Sequence, residues 1–262
     1  TMATPDSFGF TQNQTGNITI TSKGLEFKPA TKVNFNSQSI EIDQALITGE
    51  GIHLQLVANG AQDKDINIQT LPDHSLQGGI DIKESLIYTS GNGTEQFQIR
   101  AGNTVLQNSL IIVDNIGSIN NNHIKKQAID SISKSLLINS SLLTTNSVGN
   151  GDANNINIVV NNNVEILNGG QIRSSTFGVG DAGSVSLDAG ELFIDDGSNK
   201  LFTGISSNTR LGSEGNAGAV MVSSKGLLSV LNGGHIESFS HSAGDAGSIS
   251  LDAGELFIDG GI

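Results

Sequence analysis

The stretch Gly180 to Asp196 reads GDAGSVSLDAGELFIDD, and Gly244 to Gly260 reads GDAGSISLDAGELFIDG. Fifteen of the seventeen positions are identical. A weaker copy, GNAGAVMVSSKGLLSVLN, occupies Gly215 to Asn232, and a fourth, GDANNINIVVNNNVEILN, occupies Gly151 to Asn168. The four copies start at Gly151, Gly180, Gly215 and Gly244, at spacings of 29, 35 and 29 residues. Self-similarity at a fixed period of this size marks a repeat architecture, and it governs how every local motif is read.

Each unit follows one plan. A turn of small residues leads to an alternating run such as Val185-Ser186-Leu187, then to a second, Leu192-Phe193-Ile194. A second turn follows, Asn168-Gly169-Gly170 or Asn232-Gly233-Gly234, and a third run, Ile172-Arg173-Ser174 or Ile236-Glu237-Ser238, closes the unit. Period-2 runs mean strands, so three strands are expected per unit. Val185 and Leu187 then share one face, and Ser184 and Ser186 the other. One unit cannot bury its apolar face alone, whereas units stacked in parallel can. The economical solution is a β-helix in which each strand pairs with its equivalent in the next coil. Val185, Leu187, Val220, Val222, Ile249 and Leu251 should then form one internal stack. The Asn-Gly-Gly corners fit, since Gly takes positive φ without steric cost and Asn tolerates it.

On the GDAGSVSLDAGELFIDD type of unit and its NGGQI and NGGHI corners, the chain resembles the coils of filamentous haemagglutinin-like proteins, the large exoproteins of two-partner secretion in Gram-negative bacteria. The resemblance covers residues 151–262 well and 1–150 loosely. It implies an all-β, right-handed parallel β-helix (a solenoid), a secreted or outer-membrane and cell-surface location, and a role in adhesion. It implies as partners the outer-membrane secretion transporter of the full-length protein and a glycan or protein receptor on a host or neighbouring cell. It transfers no catalytic residues.

With 33 glycines, 3 prolines and 4% aromatics, the chain favours tight turns and thin strands, and 36% hydrophobic residues suffice for a narrow core. The net charge of -13 opposes nucleic acid and anionic lipid as partners. No apolar run approaches membrane-span length, so no membrane insertion is expected. The absence of cysteine excludes a disulfide scaffold, a Cys-ligated zinc and a thiol nucleophile. The opening TMATPDSFGF lacks a basic and an apolar signal region, and the chain stops in mid-unit. It therefore reads as an excised piece of a longer exoprotein.

Thr15 to Phe27, TGNITITSKGLEF, has the character of a first coil, and its SKGL string returns at Ser224 to Leu227. Alternating runs follow at Ser39 to Ile42, Ile52 to Val57, Ile66 to Ile68, Ile80 to Ile82, Leu86 to Thr89 and Phe97 to Ile99, with no fixed period. Residues 114–135 are the least strand-like. They suit either one or two helical turns, with Ile124, Ala128 and Ile132 on one side, or a poor strand. The 29-residue register reaches back before Gly151, matching Asn139 to Asn168, Leu143 to Ile172 and Thr145 to Ser174. The expectation is a single segment of roughly eight to ten coils, irregular over 1–121 and regular over 122–262.

Candidate sites are weighed within this register. Asp195-Asp196 is an acid pair of the kind polysaccharide hydrolases use. Its equivalents, Asp259-Gly260 and Leu231-Asn232, mark it as a corner. His235 and Glu237 share a strand face with His241 nearby, as metal ligands could, but a third convergent ligand is lacking and Gln171 is the equivalent of His235. His53, His74 and His123 are isolated. Asp152, Asp181, Asn216 and Asp245 should stack as a column. Phe177 and Phe239 follow the third strand in matching coils and suit a corner stack or a carbohydrate platform. The triplets at Asn13, Asn17, Asn92 and Asn139 fit a glycosylation acceptor by chance in an Asn-rich chain. No catalytic, cofactor-binding or metal-binding residue is expected. The function expected is that of a stalk, with a polysaccharide-active enzyme or a glycan-binding module as alternatives. The units from Gly180 and Gly244 are acidic and the one between is neutral, which spaces like charges two strands apart without calcium.

Overall fold

The structure, a computed structural model, describes residues 16–60, 76–117, 127–197 and 202–260. Every regular element among them is a strand. The first eleven are β1 (Asn17–Ile20), β2 (Leu25–Phe27), β3 (Lys32–Ser37), β4 (Ser39–Asp43), β5 (Leu46–Glu50), β6 (His53–Ala58), β7 (Gly79–Lys83), β8 (Leu86–Gly91), β9 (Gln96–Arg100), β10 (Asn103–Gln107) and β11 (Leu110–Asn115). There follow β12 (Gln127–Ser133), β13 (Ser135–Asn139), β14 (Leu142–Ser147), β15 (Asn155–Leu167), β16 (Gln171–Thr176), β17 (Val185–Asp195), β18 (Gly204–Thr209), β19 (Val220–Leu231), β20 (His235–Phe239) and β21 (Ile249–Asp259).

All pairings are parallel, and from β1 to β12 each strand pairs with the one three places on. The chain thus returns to each sheet position after every third strand. An eight-stranded sheet runs β2-β5-β8-β11-β14-β16-β18-β20, and a thirteen-stranded sheet holds the rest. Within the larger sheet, β1-β4-β7-β10-β13 and β3-β6-β9-β12 are separate stacks that meet at β15, which pairs with both β12 and β13.

That junction corrects the expectation of three strands per unit. From β15 onward the first two runs form one strand of 11 to 13 residues, with a register irregularity where they join. Only Gly190 and Glu191 separate the paired parts of β17, too few residues to turn the chain away from the sheet. Of the two alternatives for residues 114–135, the strand holds over Gln127–Ser133, which pairs with β9 and β15, so Ala128 and Ile132 do not lie on a helix. Ile124, the run at Ile66 to Ile68 and the residues before Gly16 lie outside the described residues. Strands at Lys32–Ser37, Leu46–Glu50, Asn103–Gln107 and Leu110–Asn115, which irregular spacing hid, complete the early units.

Parallel pairing stacks like on like. Ile20, Ile42, Ile82, Leu106, Ile138, Ile166, Ile194, Val230 and Ile258 form one unbroken column. Leu25, Ile47, Ile87, Ile111, Leu143, Ile172, Ile205 and Ile236 form another across the smaller sheet. The expected stack is present as two adjacent columns, Val185–Val220–Ile249 and Leu187–Val222–Leu251. The apolar groups that these columns remove from water drive the assembly.

Corners are built for the same spacing. Gln44, Glu84, Asn108, Ser140, Asn168 and Asn232 all have φ between 46° and 51°. Each donates its N–H to a carbonyl of the following unit, as from Asn168 to Asp195 O at 3.1 Å. The glycines that open the repeat answer to close approach. A Cβ on Gly180 would stand 2.2 Å from Gly151 O, and one on Gly183 2.1 Å from Asn154 O.

A ladder of buried hydroxyls ties this turn to the third strand. Ser174 Oγ accepts the Gly183 N–H at 2.8 Å, Ser207 Oγ the Gly218 N–H at 2.8 Å, and Ser238 Oγ the Gly247 N–H at 2.8 Å. Ser207 and Ser238 donate onward to the carbonyls of Gly183 and Gly218 at the opening turns of their own units, at 2.9 and 3.0 Å. A second ladder runs through the opposite corner, where Ala45, Ser85 and Ser109 donate their N–H to the hydroxyls of Ser85, Ser109 and Ser141. Satisfied in this way, buried polar groups keep the stack in register at no net penalty.

Among the described residues the buried hydroxyls of Thr89, Thr104, Ser131 and Ser133 lack such a partner. Thr104 replaces an aliphatic residue in a column between Ile80 and Leu136, and its Oγ1 meets no hydrogen-bonding group. Thr104→Val is expected to stabilise the protein by about 1 kcal/mol, read as a raised midpoint in urea. Val220→Asp, which places an unpaired charge between Val185 and Ile249, is expected to cost several kcal/mol. A Val220→Asp variant that melts like the parent would contradict the register.

Candidate functional surface

Strand direction decides which residues of the smaller sheet face out. In β16 the alternation buries Ile172, Ser174 and Thr176 inward and turns Gln171, Arg173 and Ser175 outward. Register aligns Gln171–Gly204–His235, Arg173–Ser206–Glu237 and Ser175–Asn208–Phe239. One step past the strands, Arg210 donates its N–H to Thr176 O at 2.9 Å, which brings Arg210 alongside Phe177. The result is a grid of outward residues over three successive units. It carries Arg173, Arg210, Glu237, His235, His241, Phe177 and Phe239.

Gln171 and His235 occupy the same row two strands apart, with Gly204 between them. Phe177 and Phe239 do not share a row, since Phe239 aligns with Asn208 and Ser175. They form no aromatic row with each other. Phe177 instead lies beneath the Arg210 guanidinium, 5.7 Å from ring centroid to Cζ. Phe239 meets His241 edge to face at 4.5 Å, and His235 stacks on Phe202 at 5.3 Å.

Charge on this face is unevenly matched. Among the described residues the ion pairs are Lys83–Asp81 and Arg100–Asp130, so neither Arg173 nor Arg210 belongs to one. Nε of each is shut off from solvent with no hydrogen-bond partner. Arg173 Nη1 donates to Gln171 Oε1 on its own strand at 3.1 Å. Burial pulls the Arg173 guanidinium down to about 10, with the positive charge of Arg210 adding to the shift. Burial also raises the Glu237 carboxyl, against the opposing pull of His235, His241 and Arg210.

Asp195 and Asp196 sit at a corner. Asp195 Oδ1 accepts from the Gly197 N–H at 2.7 Å and from Asn232 Nδ2 at 2.8 Å. Buried Asp196 accepts from the Thr203 hydroxyl, which accepts the Gly169 N–H at 2.7 Å. Eight residues, 196–203, separate Asp195 from Gly204, where only three, 168–170, separate the matching Leu167 and Gln171. The pair therefore anchors a longer corner.

The turn column is present as a ladder. Asp152 Oδ1 accepts the Asp181 N–H at 2.9 Å, Asp181 Oδ1 the Asn216 N–H at 2.7 Å, and Asn216 Oδ1 the Asp245 N–H at 2.8 Å. Among the described residues no group of three or more His, Asp or Glu is placed to hold a metal ion. Asp188 and Asp252 flank Ser223, and Asp195 and Asp259 flank Leu231, so these carboxylates stand two strands apart. Asp152 and Asp181, in adjacent units, and Glu41 and Asp81, on adjacent strands, are exceptions.

His53 Nδ1 lies 3.2 Å from Gln96 Oε1. His74, His123 and Asn13 fall outside the described residues. Asn17 and Asn139 lie within strands, and Asn92 lies at a corner.

A cluster that sequence reading missed lies further along the same face. Buried Glu95 takes the N–H groups of Gly93 and Thr94 at 3.1 and 2.9 Å. Asp114 accepts from Asn146 Nδ2 at 2.7 Å and lies beside Tyr88. Burial raises both carboxyls and the Tyr88 phenol. Tyr88 and Asp114 are 26 residues apart in the chain and meet only through the register β8–β11, so no local motif marks them.

Comparison of the chain with protein-family models, curated proteins and solved structures returned no match.

The raised carboxyls set the direction of the pH response. Glu95, Asp114 and Glu237 have folded pKa values above the ordinary carboxylate range. Their contribution to stability is full below the unfolded pKa and is lost as pH rises through the folded one. The urea midpoint is expected to rise as the pH is lowered from neutrality toward the ordinary carboxylate range. Asp114→Asn, which keeps an acceptor for Asn146, should flatten that slope and raise the midpoint at neutral pH. A midpoint that falls on mild acidification would contradict this.

Proposed function

We propose that the chain is a right-handed parallel β-helix segment acting as a stiff stalk in a secreted or surface-bound exoprotein of the filamentous haemagglutinin-like, two-partner secretion type. The observation that carries this reading is the unbroken column from Ile20 to Ile258, in which nine strand segments stack in parallel. At a strand spacing of about 4.8 Å such a column is roughly 40 Å long. Its rigidity comes from a continuous backbone ladder and a threaded apolar core. The stalk holds adhesive parts, carried elsewhere on the full-length protein, away from the cell. Its partners are the outer-membrane transporter that exports it and a receptor on another cell.

Asp195 and Asp196 serve the corner, and the reading assigns no turnover to the chain. Assays on pectin, alginate and other acidic glycans should give rates equal to buffer, and turnover abolished by Asp196→Asn would overturn it. Location is tested on the source bacterium with an antibody raised against this chain. Intact cells or culture medium should be labelled, and deletion of the partner transporter should abolish the signal. Labelling seen only after lysis would contradict the proposal.

A further inference from the structure

We propose that the Asn232-Gly233 corner is a site of spontaneous covalent modification, where the Asn232 side chain closes on the next peptide nitrogen and reopens as aspartate or isoaspartate. The chain holds five Asn-Gly pairs, at 59–60, 92–93, 150–151, 168–169 and 232–233. Such pairs are open to this reaction because glycine sets no side chain against the approaching carbonyl. The attacking group is the glycine nitrogen, which must first give up its proton and any hydrogen bond it makes. Four of the five are held. Gly60 N–H donates to Gln38 O at 3.0 Å, Gly93 to Glu95 Oε1 at 3.1 Å, Gly151 to Gly117 O at 3.0 Å and Gly169 to Thr203 Oγ1 at 2.7 Å. The Gly233 N–H has no partner among the described residues.

The corners at Asn168 and Asn232 are a matched pair. Both read Leu-Asn-Gly-Gly. The two asparagines have φ of 51° and 49°, and the glycines after them 86° and 84°. Gly170 and Gly234 close the same turn, onto Leu167 O at 2.9 Å and Leu231 O at 2.8 Å. Both asparagine side chains donate to the preceding unit, to Asn139 Oδ1 at 3.0 Å and to Asp195 Oδ1 at 2.8 Å. What differs is the cover over the glycine N–H. Thr203, from the lengthened corner of the following unit, caps Gly169. After β21 the sequence continues Gly260-Gly261-Ile262, none of which carries a hydroxyl. Asn232 is exposed, and beyond its chain neighbours Gly233 has no heavy atom within 4 Å of a Cβ placed on it, so water reaches the corner.

In the first step Gly233 N loses its proton to hydroxide and bonds to Asn232 Cγ. The Cγ–Nδ2 bond breaks, and Nδ2 takes up a proton from water and leaves as ammonia. Water then opens the succinimide ring at either carbonyl. The balance is an amide and a water consumed for a carboxyl and an ammonia, with nothing oxidised or reduced. The product sets a carboxylate where Asn232 Nδ2 had donated to Asp195, so a donor is lost and like charges meet between units. The site goes beyond the stalk reading and does not rest on it.

The test is peptide mapping by mass spectrometry after the folded chain has been kept in warm, mildly alkaline buffer, with a parallel sample in denaturing urea. In the folded chain Asn232 should convert about tenfold faster than Asn168, the factor that one hydrogen bond can set. Asn59, Asn92 and Asn150 should stay as slow as Asn168. In urea the two Leu-Asn-Gly-Gly sites should react alike. Thr203→Val frees the Gly169 N–H and should raise the rate at Asn168 towards that at Asn232. Slow reaction at Asn59, Asn92 and Asn150 in the same sample shows that this variant is folded. Thr203→Ser keeps the acceptor and should leave Asn168 slow. Equal rates at Asn168 and Asn232 in the folded parent, which need no variant to be read, would overturn the site. So would an Asn168 rate unmoved in folded Thr203→Val.

Discussion

Parallel pairing of equivalent strands means that almost every side chain has its own counterpart one strand spacing above and below. A residue is therefore acceptable only if it tolerates itself, or its nearest substitute, about 4.8 Å away. Aliphatic side chains satisfy the condition by packing, as in the column from Ile20 to Ile258. Amides and hydroxyls satisfy it by passing hydrogen bonds along the stack, as from Asp152 to Asp181 to Asn216 to Asp245. Carboxylates satisfy it poorly, and the sequence separates most of them by a neutral unit, as Ser223 separates Asp188 from Asp252.

The same condition explains the signature of the repeat. In the units from Gly180, Gly215 and Gly244 the first and fourth residues of the turn, all glycine, lie against the backbone of the preceding unit, where a Cβ has no room. The second supplies an acceptor for the next unit's N–H. The fourth also donates to the buried hydroxyl of the third strand. Local conformation, packing and polar satisfaction thus agree at one short turn, and such agreement across levels lets a sequence specify one structure.

Regular units were legible because their period is fixed. Matching Val185 to Val220 and Ile249, or Leu143 to Ile172, needed only the spacing of the turns. The first 117 residues resisted because corner lengths vary while strand lengths do not, so β3, β5, β10 and β11 carried no periodic mark. Alternation could not show that the runs around Gly190 fuse into one strand, because that depends on the bulge between them. Gln127–Ser133 hid its strand character behind Asp130 and two serines, which the pairing with β9 and β15 makes acceptable. Phe239 follows Ile236 by three residues as Ser175 follows Ile172, so the matched third runs already align Phe239 with Ser175 and leave Phe177 two places further on.

Linear stacking at one strand spacing per unit is the claim on which the rest depends, and distances between spin labels test it most directly. The chain has no cysteine, so introduced ones are labelled alone. Glu41 is related to Glu165 through Asp81, Val105 and Leu137, four strand spacings, and to Phe257 through Phe193 and Ser229, three more. Labels at Glu41 and Glu165 should lie about 19 Å apart, and labels at Glu41 and Phe257 about 34 Å. Two similar distances, or a longer pair well below about 25 Å, would show that the units do not stack in a line.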